Sequence, residues 1–222
     1  MKEVVLIGAT GLVGRLTAAY LLEDPRIKKI TVAVRRSTGI QHEKLNEVLV
    51  DFESISDYRA HIKGDVLISA FGSTMQKAGS KEKFCHYDMD YPLNTAGLAL
   101  ANGCSHFILV SALGASISSP FFYNRCKGMI EKKAREAGFK RVDVIRPSMI
   151  IGKRQEKRKA ETGAIWLSHM INPFLRGPLA RFHGIQAEDL ARVMVKLVHE
   201  KEDKIQTCFT WLYPEIQQKL KS

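Results

Sequence analysis

The segment Glu3-Val4-Val5-Leu6-Ile7-Gly8-Ala9-Thr10-Gly11-Leu12-Val13-Gly14 decides how the rest of the chain is read. A short apolar run, Glu3–Ile7, has the composition of a strand. It ends in a turn holding Gly8, Gly11 and Gly14, and a helix-period segment, Leu12–Glu23, begins inside that turn. Such a junction requires a sharp reversal, close backbone approach and tight packing of helix on strand. Glycine meets each need because it has no Cβ. The N–H groups and dipole at the helix start then favour a phosphate's negative charge. The three glycines are therefore expected to hold the pyrophosphate of a dinucleotide, and their place between strand and helix is what gives the pattern its weight.

The next strand candidate, Lys29–Val34, runs into Arg35-Arg36-Ser37. A site that reads the free ribose 2′-hydroxyl of NAD places an acid here, roughly 20 residues beyond the glycines. Two guanidinium groups stand in its place. An arginine pairs with a 2′-phosphate through its planar fork and stacks on adenine. Arg35 and Arg36 thus point to NADP(H) over NAD(H), the plainer reading being two exposed residues at a strand end.

Further strand candidates are Glu47–Val50, Asp65–Ala70, His106–Ser111 and Val142–Ile145; helix candidates are Ser56–Ile62, Tyr91–Asn102, Phe122–Ala137 and Glu188–Glu200. The continuous Val/Ile/Leu character of the strands suggests burial on both faces, as in parallel sheets. Strict β-α alternation predicts an α/β fold: a Rossmann-type doubly wound parallel sheet with helices on both faces and right-handed crossovers. Gly64, Gly103 and Gly138 each follow a helix candidate and precede a strand, where a left-handed cap is wanted. Asp51-Phe52 closes the third strand, where it could border the adenine. Ala70-Phe71-Gly72 closes the fourth, at the carboxyl edge where such sheets bind ligands. Residues 1–222 are expected to form one NAD(P)-binding domain. From about Gly152 the alternation is expected to break, leaving 152–222 as a small C-terminal part of helices and loops on the substrate side.

Composition narrows the class. With 222 residues, 45% hydrophobic and 26% charged, the chain falls in the globular range, and it is long enough to bury a full core. Its four cysteines (Cys85, Cys104, Cys126, Cys208) form no CxxC pair, which argues against metal ribbons and disulfide scaffolds and for a reducing compartment. Its seven histidines show no ligand spacing, so no metal is expected. No apolar run reaches the ~18 residues of a membrane span, and the first residues run straight into structure without a signal-peptide pattern. A soluble cytoplasmic enzyme or binding protein is expected. The net charge of +11 is densest at Lys153–Lys159; without a zinc-finger or ribonucleoprotein motif this reads first as a solvated run and only secondarily as a nucleic-acid contact.

Chemistry enters through Ser111, which closes the fifth strand, and through Tyr123-Asn124-Arg125-Cys126-Lys127 twelve residues on. Tyrosine and lysine four apart share one helix face. An ammonium beside a phenol favours its ionised form and prepares a general acid/base. A serine hydroxyl opposite can hold and polarise a carbonyl. Cys126 lies within this turn, where alkylation would block the site without any catalytic role for the thiol.

Read in order, GATGLVG, the VRR strand end, LVDFESISDY, FGSTMQKAGSKEKF, DMDYPLNTAGLA, GCSHFILVSALGA, YNRCKG and IRPSMIIGKRQE resemble the short-chain dehydrogenase/reductase superfamily over about residues 3–155. More narrowly, they resemble its atypical branch of HIV Tat-interacting protein-like NAD(P)-binding oxidoreductases. That resemblance implies Ser111, Tyr123 and Lys127 as the catalytic triad. It places Gly8, Thr10, Gly11, Leu12, Val13, Arg35, Arg36, Asp51 and Gly72 around the cofactor, Lys127 on the nicotinamide ribose, and Pro147-Ser148 near the carboxamide. Asn94 is a weaker polar candidate. The implied function is NADP(H)-dependent oxidation or reduction of a small carbonyl or alcohol. Some members of the branch are instead NADPH-binding regulators, so the alternative is a non-catalytic redox sensor with a protein partner. Only about 70 residues follow the sixth strand, which disfavours a nucleotide sugar as substrate. The apolar segment Gly163–Arg176 is expected to be a lid or core, with a homodimer face as the third reading.

Overall fold

In the computed structural model, which describes residues 1–73, 75–152, 177–201 and 206–222, each of the six apolar runs is a strand. These are β1 (Lys2–Ile7), β2 (Ile27–Val34), β3 (Leu45–Leu49), β4 (Val66–Ser69), β5 (His106–Val110) and β6 (Arg141–Ile145). A small parallel pair, β7 (Ile150–Ile151) and β8 (Ile185–Gln186), stands apart. A further strand, β9 (Thr207–Trp211), completes a seven-stranded sheet in the order β3-β2-β1-β4-β5-β6-β9, parallel throughout.

Side chains alternate between two layers, as the pleat demands. Val4 and Leu6 of β1 join a core with α1 (Leu12–Glu23) on one face of the sheet. Val5 and Ile7 join a second core on the other face. That second core is covered by α2 (Met75–Ala78), α3 (Lys81–Cys85), α4 (Tyr91–Ala101) and α5 (Phe122–Glu136). Back on the α1 side lies α6 (Ala187–Val198), whose Leu190, Val193, Met194 and Leu197 are buried there, with Ile216 of α7 (Tyr213–Lys221) behind it. The doubly wound Rossmann-type class read from the sequence is the observed one. No helix among the described residues is long and apolar enough to cross a membrane.

Several local expectations change. Among the described residues beyond Gly152, α6, β9 and α7 continue the alternation where helices and loops alone are expected. β9 escapes the sequence reading because it is an edge strand with exposed Cys208, Phe209 and Thr210, not a buried Val/Ile/Leu run. Residues 52–61 form a 3₁₀ segment (Phe52–His61) where an α-helix is predicted over Ser56–Ile62; Asp51 caps it, and Ser54 has non-helical φ/ψ. Gly103 and Gly138 have positive φ as cap residues should, but Gly64 does not. Gly64 is required by close approach instead, since a Cβ there would lie 2.9 Å from the Glu3 carbonyl oxygen. The segments Lys153–Lys159 and Gly163–Arg176 lie outside the described residues.

A buried polar knot ties β9 to the sheet. Asp143 of β6 accepts hydrogen bonds from Arg141 Nε at 2.6 Å and from Trp211 Nε1 of β9 at 2.7 Å, and pairs with His106 Nε2 of β5 at 2.6 Å. Burial alone would raise its pKa, but the bonds from His106 and Arg141 hold the carboxyl below its ordinary value of 3.8. A carboxylate depressed on folding contributes stability above its unfolded pKa and loses it as pH falls through the lower folded value. Trp211→Phe removes one charge-assisted donor and is expected to cost about 2 kcal/mol. Urea denaturation at neutral pH would show the loss, and acid titration by far-UV circular dichroism should show unfolding starting at higher pH than in the parent. Unchanged curves would mean that the indole bond does not hold the edge.

Candidate active site

Chain connections leave β1 and β4 for opposite faces of the sheet, so a crevice opens at their carboxyl ends. A cavity of about 760 Å³ lies there. Its floor is the glycine turn. Gly8 has φ +84°, and a Cβ on it would lie 2.6 Å from the Ala70 carbonyl group, so only glycine lets the β1 turn lie against the end of β4. A Cβ on Gly14 would stand 2.1 Å from the Gly8 carbonyl oxygen. Gly14 therefore serves the packing of α1 on its own turn. Gly11 is the N-cap of α1 and offers no side-chain oxygen. The first N–H groups of the helix are left for a ligand beside Leu12 and Val13, both of which line the cavity.

The structure brings most of the predicted residues into this one space. Gly8, Thr10, Gly11, Leu12 and Val13 line it at the turn; Arg35 and Arg36 line it from the end of β2, where both are exposed; Ala70 and Gly72 line it after β4. Ser111, Tyr123 and Lys127 close the far side. Other predicted residues do not line it. Asp51 spends a carboxylate oxygen on the Glu53 N–H. Phe52 is buried against Phe71 and Tyr91, with ring centroids 5.3 Å from each. Pro147 is buried, its carbonyl accepting from the Leu113 N–H. Ser148 donates to the Phe182 carbonyl, and Asn94 lies exposed on α4.

Two carboxylates that the sequence reading passed over organise the chemical end. Asp88, in the π-turn His86–Asp90 between α3 and α4, pairs with Lys127 Nζ at 2.8 Å and accepts from the Ser73 N–H. Lys127 is only 3% exposed. Burial by itself would lower its pKa, but the Asp88 carboxylate, followed by Tyr123, outweighs that and holds it above the ordinary lysine value. Lys127 is therefore an ammonium. Glu131 sits one helical turn beyond Lys127, so Tyr123, Lys127 and Glu131 form a single stripe along α5. The Ser111 hydroxyl donates to Glu131, which Arg146 grips through Nη2 at 2.6 Å and Nε at 2.9 Å. Tyr123 remains 38% exposed, its ring 5.5 Å from that of Phe84. A signal for the Asp88 turn exists in the sequence: Ser80 caps α3, and Phe84, Tyr87 and Tyr91 recur at helical spacing, so a helix could have been started ten residues before Tyr91.

Arg15, Arg35, Arg36, Lys77 and Lys127 put five cationic side chains around the cavity, and among the described residues lining it Asp88 alone is acidic. The glycine cradle, the uncapped helix start and this charge balance fit a dinucleotide with its phosphates.

Fold and crevice together define a Rossmann-type NAD(P)-binding protein. Comparison with known proteins agrees: the family described as NAD(P)H-binding matches residues 8–162. Protein HTATIP2 of Rattus norvegicus is 35% identical over 198 residues, covering 87% of this chain and 80% of the relative. Protein FMP52, mitochondrial, of Candida albicans is 30% identical over 220 residues, covering 90% and 91%. In structure, the chain is similar to a short chain dehydrogenase/reductase from Saccharomyces cerevisiae, with a TM-score of 0.70 and 12% identity over 98% of this chain and 99% of that one. The chain belongs to the HTATIP2-like branch of the NAD(P)H-binding family.

Proposed function

We propose that this chain is an NADP(H)-dependent oxidoreductase of the short-chain dehydrogenase/reductase type acting on a small carbonyl or alcohol, within a single domain. The observation that carries the reading is one cavity lined by the glycine turn, the Arg35-Arg36 pair and Ser111, Tyr123 and Lys127 together. The bound nicotinamide would supply or accept a hydride. In the direction of reduction Tyr123 donates the proton to the carbonyl oxygen, and Lys127 holds positive charge beside the phenol so that the phenolate left behind is stabilised. Ser111 orients the oxygen once its hydroxyl turns from Glu131 to the substrate, while Arg146 continues to hold the Glu131 carboxylate. Arg35 and Arg36 receive the 2′-phosphate. A cytoplasmic setting belongs to this reading. The fungal relative bears a mitochondrial name, and fractionation of cells expressing the chain separates the two locations.

The test is titration with NADPH and NADH side by side, following quenching of tryptophan fluorescence. NADPH should bind more tightly. Arg35→Ala/Arg36→Ala should weaken NADPH by about tenfold or more while leaving NADH nearly unchanged, since each lost charge-assisted bond is worth about 1.5–3 kcal/mol. Equal binding of the two cofactors by the parent would remove the arginines from this role.

One observation favours a second reading, an NADPH-binding regulator that takes a protein partner. The Ser111 hydroxyl is donated to Glu131 and is therefore committed to a carboxylate of the protein's own. Absence of NADPH consumption across a broad panel of aldehydes and ketones, with cofactor-dependent capture of a partner, would select that reading.

A further inference from the structure

Cys85 and Cys126 stand 41 positions apart in the chain, and the fold brings them together: Cys85 Sγ lies 2.9 Å from Cys126 Sγ. Both are free thiols, Cys126 buried and Cys85 half-buried, so a small oxidant reaches Cys85 first. The contact is anchored on both sides. Cys85 ends α3 three residues before Asp88, Cys126 immediately precedes Lys127 on α5, and the Asp88–Lys127 ion pair at 2.8 Å holds these two elements in register. Burial, then the hydrogen bond with Cys85, pushes the Cys126 thiol pKa above its ordinary value, which keeps this sulfur protonated and leaves the first attack on an oxidant to Cys85. The other two cysteines lie elsewhere: Cys104 donates to the Asp65 and His106 carbonyls, and Cys208 is exposed on β9.

We propose that Cys85 and Cys126 are a reversible oxidation site, closing to a disulfide that staples the end of α3 to α5 and locks Asp88 against Lys127. A peroxide suffices as oxidant. The Cys85 sulfur attacks one peroxide oxygen, the O–O bond breaks, and one water leaves behind a sulfenic acid. The Cys126 sulfur then attacks the Cys85 sulfur, the S–O bond breaks, and the hydroxyl departs as a second water with the Cys126 proton. Two thiols lose two electrons and one hydrogen peroxide becomes two waters. A disulfide needs its sulfurs about 2.05 Å apart, so closure draws them together by less than 1 Å. A dithiol reductant reverses the step. One consequence rests on the proposed function: an ammonium fixed on Asp88 is less free to meet a cofactor ribose, so the oxidised protein binds NADPH more weakly.

The experiment treats the reduced full chain with stoichiometric hydrogen peroxide, then denatures and alkylates it. Two of the four thiols should be lost, with a mass lower by two hydrogens before alkylation, and a non-reducing digest should contain one peptide pair joining Cys85 to Cys126. Cys85→Ser, altering only the half-buried partner, should keep all its remaining thiols. Retention of four thiols by the parent, or linkage through Cys104 or Cys208, overturns the proposal. NADPH titration of the two forms should show the oxidised protein weaker by about fivefold or more, the low end of measured coupling between sites, with dithiothreitol restoring it. Equal affinity overturns the coupling. A reduced protein that binds no NADPH overturns the cofactor reading, while the thiol count still decides the disulfide.

Discussion

Asp88→Ala is expected to lower the free energy of unfolding by about 3–5 kcal/mol, the cost of leaving one partner of a buried ion pair without the other. Lys127 is 3% exposed, so its ammonium is left poorly solvated once the carboxylate is gone. The Ser73 N–H loses its bond to that carboxylate in the same step. The two charges need each other more than the fold needs either, so Asp88→Ala/Lys127→Met should recover most of the lost stability. The pH dependence follows from Lys127. Its pKa is raised on folding, so on the alkaline side the lysine's contribution is intact up to its ordinary value of 10.5 and is lost as pH climbs through the higher folded value. Urea denaturation of parent, single and double variants at neutral pH measures each term. A single variant within 1 kcal/mol of the parent would show that Lys127 finds another partner.

Tyr123→Phe should reduce turnover by about 10²–10⁴-fold, the range of a lost general acid, with any carbonyl substrate that the parent reduces. The hydroxyl is the only group removed. The ring keeps its place near Phe84, and at 38% exposure the residue contributes little to the core. NADPH affinity and the urea midpoint should therefore stay close to the parent's. That split, chemistry lost with binding and stability kept, separates an acid from a structural residue. Turnover within a few-fold of the parent would take Tyr123 out of the reaction.

Much of this architecture was legible because its signals are local. The buried parallel strands carry unbroken apolar runs such as Val66–Ser69 and His106–Val110, and the turn from β1 to α1 needs glycine at Gly8 for a reason confined to a few residues. The Tyr123–Lys127 spacing is a property of one helix. Asp88 is not legible because the helix candidate begins only at Tyr91, whereas α3 and the π-turn already precede it in the structure. Glu131 was missed because a glutamate on a charged helix gives no sign that it will be buried beneath Ser111. Asp51 and Phe52 lie close to the cofactor edge in sequence, but capping and aromatic packing take them out of the cavity.

The sequence by itself determined the doubly wound sheet, the place of the crevice and part of its lining (the glycine turn, Arg35, Arg36, Ser111, Tyr123 and Lys127), because hydrophobic period and glycine geometry act over a few residues at a time. Only the tertiary structure decided which charges pair and which sulfurs touch. Asp88 with Lys127, Ser111 with Glu131 and Cys85 with Cys126 each join different elements. Such contacts depend on how helices seat on the sheet to within an ångström, and no local spacing records that.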